Sequence, residues 1–276
     1  MRVTLHGVRG STPAPGPDFV RVGGHTSCVS VTLHGARSPS LVLDAGTGLT
    51  NLSRMLGVSA YRGAIVLSHL HWDHIQGLPF FAAGDRTDAD VEVFLPAQDG
   101  ARPGVTGSAA ALLRRAMSPP HFPIGPEGLA GQWRFEAADA GWLDVGGARV
   151  RLADVPHKGG RTFGIRVEAD GAAIAYLPDH DPTADFEPGA KLARGADVLL
   201  HDAQFARSER TIANAYGHST VEDAVELAER AGVGRLVLIH HAPSRTDQAA
   251  VNLSTAAAEA APIPLTLGRE GTEFEC

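Results

Sequence analysis

Residues 65–77 read Ile-Val-Leu-Ser-His-Leu-His-Trp-Asp-His-Ile-Gln-Gly, and this run decides how the chain is read. Three histidines and one carboxylate, His69, His71, Asp73 and His74, follow directly on the apolar run Ala64–Leu67. Residues two apart in a strand project to the same side, so His69 and His71 present their imidazoles together. Asp73 and His74 then require the chain to turn, and Ile75-Gln76-Gly77 suits the start of a helix. Four such side chains in one turn would repel one another and be costly to bury without a cation. A strand tip carrying H-x-H-x-D-H therefore predicts ligands for two metal ions.

Working outward, apolar runs predict strands over 2–7, 28–34, 41–44, 64–68 and 91–95. A second group covers 148–155, 163–168, 172–177, 198–201, 235–239 and 264–267. Helices are expected after Thr47, after Gln76, and over 108–117, 220–231 and 247–260; in the fourth, Val221, Ala224, Val225, Ala228 and Ala231 share one face. Two strand-rich halves with helices between and after them predict two packed sheets covered by helices outside. No linker separates domains, so residues 1–276 read as a single domain. The Pro/Gly-rich patch 118–126 reads as a loop, either over a site or simply at the surface.

Composition sets bounds. No apolar run approaches the roughly 20 residues of a membrane span, so no membrane partner is expected. The N-terminal stretch 1–7 alternates like a strand and lacks the apolar core of a secretion signal. Cys28 and Cys276 lie far apart, which implies no disulfide framework and suits a reducing cytoplasm. A net charge of −7 argues against gripping extended nucleic acid by its phosphates. It does not argue against a small anion, because bound cations dominate the local field.

A two-metal centre needs further ligands at other strand ends. His157 follows the run ending at Val155, Asp179 follows Ala173–Pro178, and His240 caps Leu236–Ile239. Each alone reads equally well as a turn residue. Together with the first cluster, over essentially the whole chain, they resemble the metallo-β-lactamase fold superfamily. That resemblance implies an α/β fold, a four-layer αββα sandwich with a dinuclear site at one edge of the two sheets. It implies that His69, His71 and His157 hold one metal, that Asp73, His74 and His240 hold the other, and that Asp179 bridges them. The imidazole-rich set favours two Zn2+ ions, with Mn2+ and Fe2+ compatible with the carboxylates. His241 is the rival of His240, and the family's strand phase favours His240. Leu41–Gly48 resembles the family's strand-D-x-G turn, whose aspartate, here Asp44, orients ligands from behind. Homodimers are common among members of the superfamily.

Gly217-His218-Ser219-Thr220 and His201-Asp202-Ala203-Gln204-Phe205 resemble motifs of the phosphodiesterase branch. That branch holds tRNA 3′-end processing endonucleases and cyclic-phosphate and cyclic-nucleotide phosphodiesterases. The resemblance implies that His218, held by Asp202, acts at the leaving oxygen or scissile phosphate; the mechanism expected here has Asp73 accept the proton of the attacking hydroxide. Gly7–Pro13, Gly23–Cys28 and Met117–Pro123 resemble loops of a bacterial subgroup of cyclic-phosphodiesterase-like hydrolases. Lys158 departs from the proline that commonly follows the ligand histidine there, and no long arm of the sort that grips tRNA is apparent. The expected substrate is a small cyclic phosphate or cyclic nucleotide. RNA endonuclease activity, and hydrolysis of a lactone, thioester or amide, are the alternatives. A di-iron module would carry glutamate in the first cluster and a flavin domain afterwards, and a silent sensor would have lost ligands.

Overall fold

Fourteen strands, most of them apolar runs, form two seven-stranded mixed sheets, and the computed structural model describes residues 1–276. The first sheet contains β1 (Arg2–Gly7), β2 (Cys28–Thr32), β3 (Leu41–Leu43), β4 (Arg62–Val66), β5 (Asp90–Pro96), β6 (Gln132–Ala138) and β14 (Glu273–Glu275), in the order β14-β1-β2-β3-β4-β5-β6. The second contains β7 (Gly141–Val145), β8 (Ala148–Asp154), β9 (Phe163–Ala169), β10 (Ala172–Leu177), β11 (Val198–Asp202), β12 (Leu236–Ile239) and β13 (Leu265–Leu267), in the order β13-β12-β11-β10-β9-β8-β7. Seven helices accompany them: α1 (Leu49–Leu56), α2 (Trp72–Ile75), α3 (Ser108–Leu113), α4 (Glu187–Ala193), α5 (Arg210–Tyr216), α6 (Val221–Ala231) and α7 (Asp247–Ala260).

Strand alternation sets the layers. In β4, Ala64 and Val66 face the space between the sheets, where they join Leu5, Val31, Val150, Ile174 and Val237. Ile65 points the other way, into an outer core with Leu49 and Leu52 of α1 and Leu112 of α3. On the far side, Leu199 and Leu238 pack against Leu192 of α4 and Ala224, Leu227 and Ala228 of α6. The result is the expected αββα sandwich. Each fully buried branched side chain contributes roughly 1.5–3 kcal/mol of transfer free energy, and that burial lies on both faces of both sheets. α6 begins with a capping box, in which Thr220 Oγ1 accepts from Asp223 N–H and the Asp223 carboxylate accepts from Thr220 N–H.

Three expectations are corrected. The helix expected after Gln76 instead occupies Trp72–Ile75, inside the ligand cluster, and only a 3₁₀ turn, Leu78–Phe80, follows. The helix expected to run to Met117 stops at Leu113, and the strand expected to reach Ser68 ends at Val66. Strands β6, β7 and β14 and helices α4 and α5 were not expected. β6 and β7 are sheet edges with exposed polar faces, β14 has three residues, and α4 carries Pro188-Gly189 in its first turn.

Candidate metal centre

β3 runs parallel to β4, and β10, β11 and β12 run parallel to one another. β8 is antiparallel to β9 and β9 to β10, so β8 shares the direction of β10. The C-terminal ends of these strands open on one edge, where α/β sheets place their sites. His69 and His71 lie on the segment leaving β4, and Asp73 and His74 in the only turn of α2, for which His71 in extended conformation is the N-cap. His157 lies shortly beyond β8, Asp179 shortly beyond β10, and His240 directly after β12. His240 takes a left-handed backbone, φ 57°, uncommon for a residue with a side chain and a form of strain found at functional sites.

All seven side chains come together. His69, His71, His157 and Asp179 offer ligand atoms within 4.8 Å of one another, and so do Asp73, His74 and His240. Asp179 stands between the two groups. Its Oδ2 is 3.1 Å from His69 Nε2 and 3.3 Å from His157 Nε2, while its Oδ1 is 2.8 Å from His240 Nε2. Asp73 Oδ2 lies 3.2 Å from both His74 Nε2 and His240 Nε2.

The donor set fits divalent cations. His69 Nε2 and His74 Nε2 are buried and make no well-directed hydrogen bond, although Asp179 Oδ2 lies 3.1 and 3.4 Å away. Orphaned buried polar atoms are costly, and cations shared among them would satisfy them together. Imidazole and carboxylate in these proportions suit zinc. Three of the far nitrogens are held from behind, whereas His240 Nδ1 makes no hydrogen bond. Asp44 Oδ2 is 2.7 Å from His74 Nδ1, Gly217 O accepts from His157 Nδ1 at 2.7 Å, and Ser68 Oγ is 3.0 Å from His69 Nδ1. His71 differs, with Nδ1 turned inward, 3.3 Å from His157 Nε2.

Electrostatics follow from the same distances. Burial pushes His69 down to about 3, with the neighbouring His74 adding to the effect. Burial also presses His240 downward, but Asp179 and Asp73 outweigh it and lift the imidazole to about 10. His74 rises well above the usual histidine range because Asp73, Asp179 and Asp44 outweigh its burial. Burial raises Asp73 and Asp179, and the facing imidazoles overcome that and hold both well below the usual carboxylate range. Without a cation, then, protons on His74 and His240 balance the carboxylates.

His218 and Asp202 stand at the edge of this centre. His218 Nδ1 is 3.0 Å from Asp202 Oδ2, and its ring lies 5.2 Å from that of His240 and 4.9 Å from that of His157. Asp202 is fully buried and also accepts from Ser219 N–H and Gln204 N–H. Burial lowers the His218 imidazole, but Asp202 outweighs it and the balance is upward. Asp179, Asp202, His218 and His240 form a further close group. His241 points elsewhere, Nε2 donating to Gly268 O at 3.0 Å, with burial taking it down to about 3. Lys158 is exposed and donates from Nζ to Ala215 O at 2.6 Å.

Two contributors escaped sequence reasoning. Tyr176, in the apolar strand β10, donates its hydroxyl to Asp44 Oδ2 at 2.8 Å. Ser11, at φ 62°, donates its backbone N–H to Asp73 Oδ2 at 2.7 Å. The Ser11 loop is anchored by fully buried Arg9, which bonds Gly23 O, Arg245 O and Asp247. Gly10 has no room for a side chain, since a Cβ there would lie 2.5 Å from the His240 ring. The only sequence signal for this contact was the Gly7–Pro13 loop itself.

Fold and site together define a metal-dependent hydrolase. The family model of a beta-lactamase superfamily domain matches residues 40–241. A protein named Ribonuclease Z from Mycobacterium sp. (strain KMS) is 31% identical over 97% of this chain and 93% of its own length. Among solved structures, the metallo-beta-lactamase fold protein YhfI from Bacillus subtilis superimposes with a TM-score of 0.72 at 18% identity, covering 100% of this chain and 98% of YhfI. The short form of human tRNase Z gives 0.69 at 21% identity, covering 100% and 99%. The chain belongs to the beta-lactamase superfamily.

Proposed function

We propose that this chain, acting as one domain over residues 1–276, hydrolyses a phosphodiester bond in a small cyclic phosphate or cyclic nucleotide. The observation that carries the reading is the His218–Asp202 pair, 3.0 Å apart and set against His157 and His240. A histidine beside the ligands whose Nδ1 is tied to a buried carboxylate keeps Nε2 for a departing alkoxide, which needs a proton.

In this reading His69, His71 and His157 hold one cation, Asp73, His74 and His240 the other, and Asp179 both, with zinc the preferred metal. Bound divalent cations supply Lewis-acid stabilisation of negative charge and lower the pKa of water. The protein's own groups do the rest. Ser11 N–H and the facing imidazoles fix the Asp73 carboxylate as an acceptor at the centre. Asp202 fixes the ring plane of His218 through Nδ1–H and favours the imidazolium, whose Nε2 proton is positioned for transfer to the leaving oxygen.

Net charge −7 and the tight connection between the His157 and Asp179 segments favour a small substrate. β9 and β10 join through the two-residue turn Asp170-Gly171, which leaves no projecting arm there. The second reading, an RNA endonuclease of the tRNA 3′-processing type, is favoured by the name of the mycobacterial relative. A panel on zinc-loaded protein separates them: bis-p-nitrophenyl phosphate, cyclic nucleotides, a precursor tRNA with a 3′ trailer, nitrocefin and a lactone. Faster turnover of nitrocefin or the lactone than of any phosphodiester sinks the proposal. His218→Ala is expected to lower turnover about 10²–10⁴-fold with zinc content unchanged, whereas parallel loss of zinc makes His218 a ligand.

A further inference from the structure

A cavity of about 640 Å³ opens beside the metal centre, on the side of His69 and His71. Its size falls within the roughly 300–1,000 Å³ of small-molecule sites. Ile75, Leu78, Leu112, Leu113 and Met117 make much of its wall apolar. Its rim is aromatic. Trp72 is 74% exposed and Phe80 60% exposed, and Phe80 meets Phe122 edge-on with centroids 5.7 Å apart. Large aromatic side chains left in water around a concave, polar-tipped cleft mark a binding site.

The cavity's cations are already committed. Arg115 donates to the Asp99 carboxylate and to Asp99 O, both at 3.1 Å. Arg161 is enclosed by acceptors, bonding Asp154 through Nε and Nη2, and Asp139 and Ala97 O through Nη1. Each guanidinium is thus paired with a carboxylate that a phosphate would have to displace or share. Gln98 is different. Its Oε1 accepts from Arg161 N–H at 2.9 Å, which aligns the amide while its NH2 group donates to no protein atom. The cavity thus offers apolar walls, stacking rings, charge-paired arginines and an available amide donor.

We infer that this cavity seats a nucleobase, so that the substrate is a nucleoside phosphodiester with its phosphate at the metal centre and its base on Phe80 and Phe122. The inference rests on the phosphodiesterase reading above and adds the substrate class and the side chains that select it. It also assigns the 117–126 segment, which brings Met117 and Phe122 to the cavity, as the covering loop of the base site.

The test compares adenosine 2′,3′-cyclic phosphate with glycerol 1,2-cyclic phosphate, which has the same reacting group and no base. Zinc-loaded wild type is expected to show at least about tenfold higher kcat/KM on the nucleoside compound, the order of magnitude of one stacked base. Phe80→Ala/Phe122→Ala is expected to raise KM for that compound about tenfold, with kcat nearly unchanged and the glycerol compound unaffected. Equal losses on both compounds, or no preference for the base in wild type, overturn the assignment. Should no phosphodiester be turned over, the parent reading fails and calorimetry with the four free nucleosides still decides this one. Binding to wild type that is lost in the double variant supports it, and no binding of any nucleoside overturns it.

Discussion

Asp44→Asn removes one charge and no volume, yet it should disable both halves of the metal centre. Asp44 is fully buried, and its Oδ1 accepts from Ser68 N–H at 2.7 Å. Its Oδ2 accepts from Ser68 Oγ and Tyr176 OH at 2.8 Å and faces His74 Nδ1 at 2.7 Å. Because Ser68 Oγ spends its proton on Asp44, it can only accept from His69 Nδ1, 3.0 Å away. One carboxylate thus places the protons of two imidazoles on Nδ1 and leaves both Nε2 lone pairs for metal. An asparagine whose oxygen stays on Ser68 N–H turns its amide NH2 toward the remaining partners. The two amide protons face three partners, Tyr176 OH among them; where they go to His74 Nδ1 and Ser68 Oγ, Ser68 donates to His69 and both imidazole protons move to Nε2. The opposite amide orientation presses two donors together at Ser68 N, at a cost of about 1–3 kcal/mol, so the first prevails. Loss of such an outer partner weakens metal binding about 10–100-fold, or ~1.4–2.7 kcal/mol for each cation. Competition with a chromogenic zinc chelator measures this directly, with circular dichroism confirming the fold. A folded variant binding zinc within about twofold of wild type would refute the reasoning.

Zinc binding to the metal-free protein near pH 7 should release protons, because His240, raised to about 10, and His74, also raised, must shed theirs. Affinity then climbs with pH, and calorimetry in buffers of different ionisation enthalpy should count the released protons, with none released as the contrary result. His6, buried against Ser30 Oγ at 2.8 Å, is lowered by burial from 6.5 to about 4. The unfolded chain therefore binds the proton more readily, and this group's stability contribution is full above pH 6.5 and lost toward pH 4. Between pH 7.5 and 4.5 the loss is about 2.5 kcal/mol, and urea titrations of wild type and His6→Gln should differ by that much in their pH dependence. Gly10→Ala should drive a methyl group into the His240 ring at a cost of ~1–3 kcal/mol. Elemental analysis should find fewer zinc ions per chain than in wild type, and an unchanged complement would contradict the contact.

The metal centre was legible largely because its first four members are neighbours in the chain. His157, Asp179 and His240 stood out because each ends an apolar run, and the two-sheet architecture followed from the same runs. The misses share a physical cause. Edge strands β6 and β7 need bury only one face, so Gln132–Ala138 and Gly141–Val145 do not read as continuous apolar segments. Tyr176 looks like core because its ring is core and only its hydroxyl serves Asp44. Ser11 contributes a backbone N–H, which no side-chain pattern encodes. Placing the helix after Gln76 failed because the ligands themselves form its turn, with His71 capping Trp72–Ile75.

His69, His71, Asp73 and His74 leave the first sheet, while His157, Asp179 and His240 leave the second. Every cation held between them is therefore a rivet through the seam of the sandwich, closing it at the edge where loops from both halves meet. A ligand that binds only the closed arrangement stabilises it by mass action, by about 4 kcal/mol at a thousandfold excess over its dissociation constant. Cohesion of the two halves and chemical competence then depend on the same few atoms. A lineage that kept the sandwich but lost the metals would need to rebuild the seam from apolar contacts.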